Sequence, residues 1–367
     1  MTTGVMISSE LDRLLREIAA QLQLSETTHS AVRSHYDALA QYLAEGRLAP
    51  YSPAVFAQGS YRIGTTVKPI GRDEFDLDFI VELAVASSAE PGDVYELVAS
   101  EIERNGHYRG KTERKPRCIR ISYPGQFHTD VVPAVPDQTD PGKILIPERV
   151  GNTMRWRSTD PKGYVRWFEA VSRGRHLDKY AAIEPLPPQG AIGHKTALQV
   201  GVQLLKRHHH IHVEDEKVRT PSIVLTTIAG LAAPGLPSLG DSMNAIVAGV
   251  HGYAQAPQHI RHPTAPNEVI TEKWDDSAVL GAFCAQAQTL SVQWEKLIAS
   301  TDQGYAATTE LLRQMFGEAP VRRAHDVLAE RKRSVSQDGR LRTAAGGTLI
   351  EVPRGQGNPR KTFFGGG

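Results

Sequence analysis

Asp76-Leu77-Asp78 sets two carboxylates one residue apart, flanked by Phe75 and Phe79. A strand repeats every two residues, so both carboxylates project from one face while Phe75, Leu77 and Phe79 fill the other. Like charges side by side on a strand face repel, and a cation between them removes the conflict. All-oxygen ligands suit Mg2+, with Mn2+ as a substitute, in a site completed by waters and substrate phosphates. Upstream, Gln58-Gly59-Ser60-Tyr61-Arg62 precedes a segment that could open a helix. Gly59-Ser60 there offers backbone N–H groups and a hydroxyl to a phosphate. A two-metal phosphoryl-transfer site also benefits from a third carboxylate. Asp130, in Phe127-His128-Thr129-Asp130-Val131-Val132-Pro133, is the best candidate. A strand here beside 75–83 would bring Asp130 alongside Asp76 and Asp78. A solvated strand-end aspartate is the competing reading, and the order Gly-Ser, Asp-x-Asp, Asp favours the metal site.

These residues need a sheet to hold them. Strand-like stretches fall at 55–56, 75–83 and 117–123, and Pro124-Gly125 joins the last of these to 127–132 as a hairpin. Residues 92–105 have helical periodicity between strands. Before the sheet, Leu11, Leu14, Leu15, Ile18 and Leu22, then Val32, Tyr36, Leu39 and Tyr42, keep helical spacing. Ser25 with His29 is a weak cap there, leaving one long bent helix or two. From about Gly193 the pattern turns helical, over 194–212, 223–233, 275–301 and 303–331, with 254–268 read as a crossing loop. The expectation is an α+β, bilobal chain with a central cleft. A helical spine spans 1–48, a mixed-sheet catalytic core 49–192, a helical lobe 193–332, and a flexible basic, glycine-rich tail 333–367.

Composition narrows the function. Apolar content of 40% and charged content of 23% are ordinary for a soluble globular protein. A net charge of +1 argues against a stable nucleic-acid partner, so anion binding must come from local patches. Cys118 and Cys284 lack metal-ligand spacing and fit core positions in a reducing compartment. No basic leader precedes a long apolar stretch, and no run reaches the length of a membrane span. The expectation is a cytoplasmic enzyme without a membrane partner.

The ordered set of motifs resembles the polymerase β-like nucleotidyltransferase superfamily. More narrowly, Gln58-Gly59-Ser60-Tyr61-Arg62-Ile63-Gly64-Thr65, Phe75-Asp76-Leu77-Asp78 and His128-Thr129-Asp130-Val131-Val132-Pro133-Ala134 resemble the bacterial cGAS/DncV-like nucleotidyltransferases (CD-NTases). Leu198-Gln199, Leu204-Leu205-Lys206-Arg207-His208 and Pro221-Ser222-Ile223-Val224-Leu225 are similar to a further pattern of the family. His262-Pro263, Pro266-Asn267-Glu268 and Trp274 resemble another, with His262 where asparagine is usual. The likeness runs over about residues 50–300.

The resemblance implies a polymerase β-like core packed on an oligoadenylate-synthetase-like helical lobe. It implies that Asp76, Asp78 and Asp130 hold Mg2+, that Ser60 with Gln58 and Gly59 holds the β- and γ-phosphates, and that Lys206 and Ser222 add a second phosphate grip. It also implies ATP and other ribonucleoside triphosphates as substrates, adenine in at least one position, and a cyclic di- or trinucleotide second messenger made in CBASS anti-phage defence. A linear or RNA-terminal nucleotidyltransferase, a small-molecule or protein nucleotidyltransferase, and a non-enzymatic nucleotide-binding module are the alternatives. Some chains of the family are joined to targets through a C-terminal glycine by a ubiquitin-ligase-like partner, which makes Gly367 a conjugation candidate against a merely disordered terminus.

Other signals are discounted. His208-His209-His210 with His212 reads as a polar helix end rather than a metal site, because consecutive helical residues diverge. Arg109, Lys111, Arg114, Lys115, Arg117 and Arg120 read as a solvated basic face, as do Lys68 and Arg72. Tyr164, Trp167 and Phe168 read as core rather than as a base-stacking platform.

Overall fold

The computed structural model describes residues 8–71, 74–125, 127–173, 184–187, 189, 192–300 and 305–337 in full, and the backbone at 341–343 and 349–351. Gly367, Arg72 and most of the stretch expected to be a tail lie outside the described residues.

The chain opens with two helices, α1 (Ser9–Gln21) and α2 (Glu26–Glu45). Ser8 and Ser25 cap them, accepting the N–H groups of Leu11 and Thr28. Then come β1 (Ala54–Ala57), the single turn α3 (Gly59–Arg62), β2 (Phe75–Glu82), α4 (Pro91–Arg104), β3 (Thr112–Arg114), β4 (Ile119–Tyr123), β5 (Phe127–Pro136), β6 (Ile144–Val150) and β7 (Thr153–Thr159). The sheet order is β1-β2-β5-β4-β3, with β6 paired to the end of β5 and β7 to β6. β2 and β5 run parallel, and β4 and β5 form the hairpin expected around Pro124-Gly125. Phe75, Leu77, Phe79 and Val81 bury one face of β2 with Val32, Tyr36 and Leu39 of α2 and Val94, Val98 and Ile102 of α4. The alternation of β2 therefore sends Asp76 and Asp78 to the opposite face. β6 and β7 escape a sequence reading because Glu148, Arg149, Arg155 and Arg157 interrupt their apolar pattern.

The helical half comprises α5 (Pro161–Arg173), α6 (Ala197–His212), α7 (Ser222–Ala232), α8 (Leu239–Gln255), the small hairpin β8 (Arg261–His262) with β9 (Ala265–Val269), α9 (Ser277–Ser300), α10 (Tyr305–Phe316) and α11 (Glu318–Gln337). A strand pair, β10 (Leu341–Thr343) with β11 (Leu349–Glu351), follows. α6 runs through the middle of this lobe and is buried over most of its length. Leu11, Leu14, Leu15 and Ile18 of α1 join the same apolar cluster, so α1 belongs with the helical half and α2 with the sheet. Helix α11 continues to Gln337, past the boundary expected at 332.

Three local expectations change. The stretch 303–331 is two helices, α10 and α11, meeting at Gly317. The crossing loop at 254–268 holds the end of α8 and the β8–β9 hairpin. His262 shapes that hairpin: its Nδ1 accepts the Ala265 N–H at 3.1 Å and the Thr264 N–H at 3.3 Å. An asparagine side chain does the same work in an Asx-turn, which accounts for histidine at an asparagine position. Half of the histidine tract is core rather than a polar helix end: His208 and His209 are at 0% and 1% exposure, while His210 and His212 at the end of α6 are only partly buried. It packs inward because α9 and α10 both lie against α6. No group of three or more metal-ligating side chains forms there or elsewhere among the described residues as they stand. No described helix is long and apolar enough to cross a membrane.

Candidate active site

Parallel pairing of β2 and β5 brings the three aspartates together. Asp78 stands directly opposite Asp130 and Asp76 opposite His128, so all three carboxylates share one face of adjoining strands. Beneath them the sheet is packed; above them sits the Gly-Ser turn. The N–H of Gln58 donates to the Asp78 carbonyl at 2.9 Å, tying the turn to β2. Gly59 then turns with φ +65°, and a Cβ there would lie 2.4 Å from Asp78 Oδ2. Only glycine allows this approach. Ser60 follows, its Oγ 3.2 Å from Thr66 Oγ1.

Gly59→Ala is expected to push the Asp78 carboxylate aside and lower turnover about a hundredfold, the scale of a 1 Å misplacement. Pyrophosphate release and circular dichroism check this together, and a wild-type rate would show that the contact does not matter.

Charge is concentrated in this cluster. Burial raises the Asp78 carboxyl to about 8, with Asp130 and Asp76 adding to the shift. Asp76, half-exposed, is raised by burial while Arg120 pulls it back. Arg120 of β4 faces Asp130 across the hairpin. Its Nε and Nη2 donate to both Asp130 oxygens at 2.8 and 2.7 Å, and Nη2 lies 3.0 Å from Asp76 Oδ1. The bond to Asp130 also raises the guanidinium pKa above its ordinary value. Such bidentate pairs fix orientation as well as charge. Arg120 is therefore not part of a solvated face. Counting the hairpin register outward from Pro124-Gly125 pairs residue 120 with residue 130, and that was the available signal. Three others of the basic run are paired with acids, Arg114 with Glu96 and Glu103, Lys115 with Glu113 and Arg117 with Glu148 and Glu272.

The donor set of Asp76, Asp78 and Asp130 is wholly carboxylate oxygen, the chemistry that suits a hard divalent cation such as Mg2+, although with Arg120 bridging Asp76 and Asp130 the three do not form a closed ligand group as they stand. Each carboxylate offers about four lone-pair directions, so Asp130 can keep Arg120 and still serve a metal.

From the helical half, Lys206 of α6 reaches the same cluster. Its Nζ is 3.2 Å from Thr65 Oγ1, and burial lowers it to about 7 while the charge of Asp78 opposes that shift. Ser222 is the exposed first residue of α7, the helix packed beside α6. The structure thus groups Gln58, Gly59, Ser60, Asp76, Asp78, Asp130 and Lys206, and places Ser222 one helix away. Sequence reasoning missed Lys195, a second buried lysine whose Nζ donates to the Gly64 carbonyl at 2.7 Å. Tyr164 and Phe168 are buried, with Trp167 packed against the same cluster, as core residues should be.

Comparison with known proteins agrees with this geometry. Residues 8–171 match the Second Messenger Oligonucleotide or Dinucleotide Synthetase domain, SMODS. The chain is 28% identical to a c-di-GMP synthase of Roseivirga ehrenbergii, over 88% of each chain. It is 26% identical to the cyclic dinucleotide synthase CdnG of Bradyrhizobium diazoefficiens, over 93% of this chain and 88% of that one. The structure of that CdnG in complex with GTP superposes with a TM-score of 0.71 at 22% identity, covering 88% of this chain and all of the other. Escherichia coli DncV in its 3'-deoxy GTP form gives 0.57 at 14% identity, over 82% and 93%. The carboxylate floor and the Gly-Ser turn lie within the stretch that matches the SMODS domain, and the chain as a whole shares the fold of the CD-NTase CdnG.

Proposed function

We propose that this protein is a template-independent nucleotidyltransferase that joins two ribonucleoside triphosphates into a cyclic dinucleotide second messenger, releasing pyrophosphate. The observation that carries the reading is the register of β2 and β5, which stacks Asp78 against Asp130 beneath the Gly-Ser turn and beside Lys206. The names of the two relatives that span nearly the whole chain favour a dinucleotide and guanine over the adenine expected from the family at large. Action in anti-phage defence is part of the same proposal.

The residues divide the work. Ser60 and the Gly59-Ser60 N–H groups hold the β- and γ-phosphates of the donor. Lys206 is short of protons in its buried setting, and a phosphate beside it restores the ammonium charge. The acceptor hydroxyl oxygen attacks the α-phosphorus, its proton passes to a carboxylate oxygen of Asp130, and the bond to the bridging oxygen breaks as pyrophosphate leaves. Arg120, bonded to both of its oxygens, keeps Asp130 aimed. Bound Mg2+ would supply charge neutralisation on the phosphates and acidify the attacking hydroxyl. Positioning and electrostatics account for most of the rate.

Incubating the protein with each labelled ribonucleotide and Mg2+, then with phosphatase, tests the reading. A phosphatase-resistant small product formed from GTP is the expected result. Pyrophosphate release without such a product would refute cyclisation and favour a linear product or another acceptor.

A further inference from the structure

Beyond the bonds inside the turn itself, the segment after Ser60 is held by its carbonyl oxygens, which accept from five side chains of the 189–206 stretch. Gln189 Nε2 donates to Tyr61 O at 2.9 Å, Gln199 Nε2 to Ile63 O at 2.9 Å and Lys195 Nζ to Gly64 O at 2.7 Å. Gln203 Nε2 donates to Thr66 O at 2.6 Å, and Lys206 Nζ lies 3.4 Å from Thr65 O. Gln199, Gln203 and Lys206 are spaced by four and three residues, so one face of α6 supplies three of the five donors. The apolar contacts run the same way: Ile63 and Val67 are buried in the helical-lobe cluster, whereas Tyr61 belongs to the sheet core. Gly64, at φ +70°, lets the segment approach so closely that a Cβ there would sit 2.8 Å from Gln199 Nε2.

We infer that this stripe on α6, Gln199 and Gln203 above all, positions the phosphate-binding turn, so that the helical lobe sets the affinity of the site for the donor triphosphate. With its carbonyls satisfied from behind, the turn cannot rotate. Its first N–H groups, at Gly59 and Ser60, have no carbonyl partner within the single turn of α3, which on the proposed reading leaves them for the donor phosphates. An unfixed turn would have to be ordered by each incoming nucleotide, and the entropy of that ordering is taken from affinity. Because β- and γ-phosphates are held alike before and during transfer, the loss should fall on ground-state and transition-state binding equally. This inference rests on the reading that Ser60 binds the donor triphosphate.

Gln199→Glu is the sharpest test. The glutamate keeps an oxygen to accept from the Thr196 N–H, preserving the helix cap, while it loses the donor to Ile63 O. Steady-state kinetics with GTP are expected to show KM raised about tenfold or more with kcat within about threefold, the pattern of lost uniform binding. Gly64→Ala, which displaces Gln199 from the other side, should shift KM in the same direction. A purely architectural role would lower melting temperature and active fraction with KM unmoved, and that result in both variants overturns the inference. Ser60→Ala separates the two levels. A raised KM there with wild-type KM in both other variants rejects the positioning role alone. Wild-type KM in Ser60→Ala rejects the donor site itself.

Discussion

Asp78→Asn is expected to reduce nucleotide transfer by at least about a thousandfold while making the metal-free protein no less stable at neutral pH. The two effects have one cause. Asp78 is closed in by Gly59, Asp76 and Asp130, and burial raises its carboxyl to about 8. Ionising it without a cation is unfavourable, so an amide of the same shape relieves the folded state. The same amide carries no charge for a metal and weakens the site where a hard cation needs oxygen anions most. Rate assays and thermal melts on the same preparation check both halves. Activity within tenfold of wild type would remove Asp78 from the chemistry, and a large fall in melting temperature would mean that the carboxylate is structural.

Acidification from pH 6.5 to 5 is expected to destabilise the protein by about 1–2 kcal/mol, the loss through the buried histidines of α6 exceeding the opposite contribution of Asp78. Burial lowers His208 to about 3 and His209 to about 4. In the unfolded chain both take a proton near 6.5. Between those values the unfolded state binds more protons, so stability rises with pH and is lost as pH falls below about 6.5. Each histidine contributes about 1.4 kcal/mol per pH unit in that window. Asp78 acts with the opposite sign, because its raised carboxyl makes the folded state hold the extra proton between about 4 and 8. Two histidines outweigh it below 6.5. His209, buried beside Gln286, offers the test. His209→Leu should flatten the fall in melting temperature between pH 6.5 and 5. An unchanged slope would place the acid sensitivity elsewhere.

Sequence reasoning succeeded in placing residues where strand periodicity and hairpin register fix their face. Asp76, Asp78 and Asp130 are legible because two strands with alternating faces must present them, and Pro124-Gly125 fixes the hairpin that aligns Asp130. Gly59 next to Ser60 marks a turn whose need for glycine the structure explains through Asp78. The less legible residues are those whose role depends on a distant partner. Arg120 was one charge in a basic run until hairpin register set it against Asp130. Lys195, Gln199 and Gln203 contact a loop more than a hundred positions earlier, and no local pattern announces that. The histidine tract misled for the same reason, since burial of α6 is set by the helices around it. The charged strands β6 and β7 and the hairpin behind His262 carry weak propensities that tertiary pairing overrides.

The pairing of α1 with α11 bears on how the protein is made. Leu11, Leu14, Leu15 and Ile18 find their partners in a helical cluster that also holds Val321 and Ala324 of α11. Nearly the whole described chain separates the two helices, so during synthesis the apolar stripe of α1 emerges long before α11 can cover it. The sheet, with α2 and α4 upon it, can assemble on the ribosome first. The helical half, and with it the α6 grip on the phosphate turn, must wait for α11. The phosphate turn is thereby fixed only after the chain through α11 has emerged.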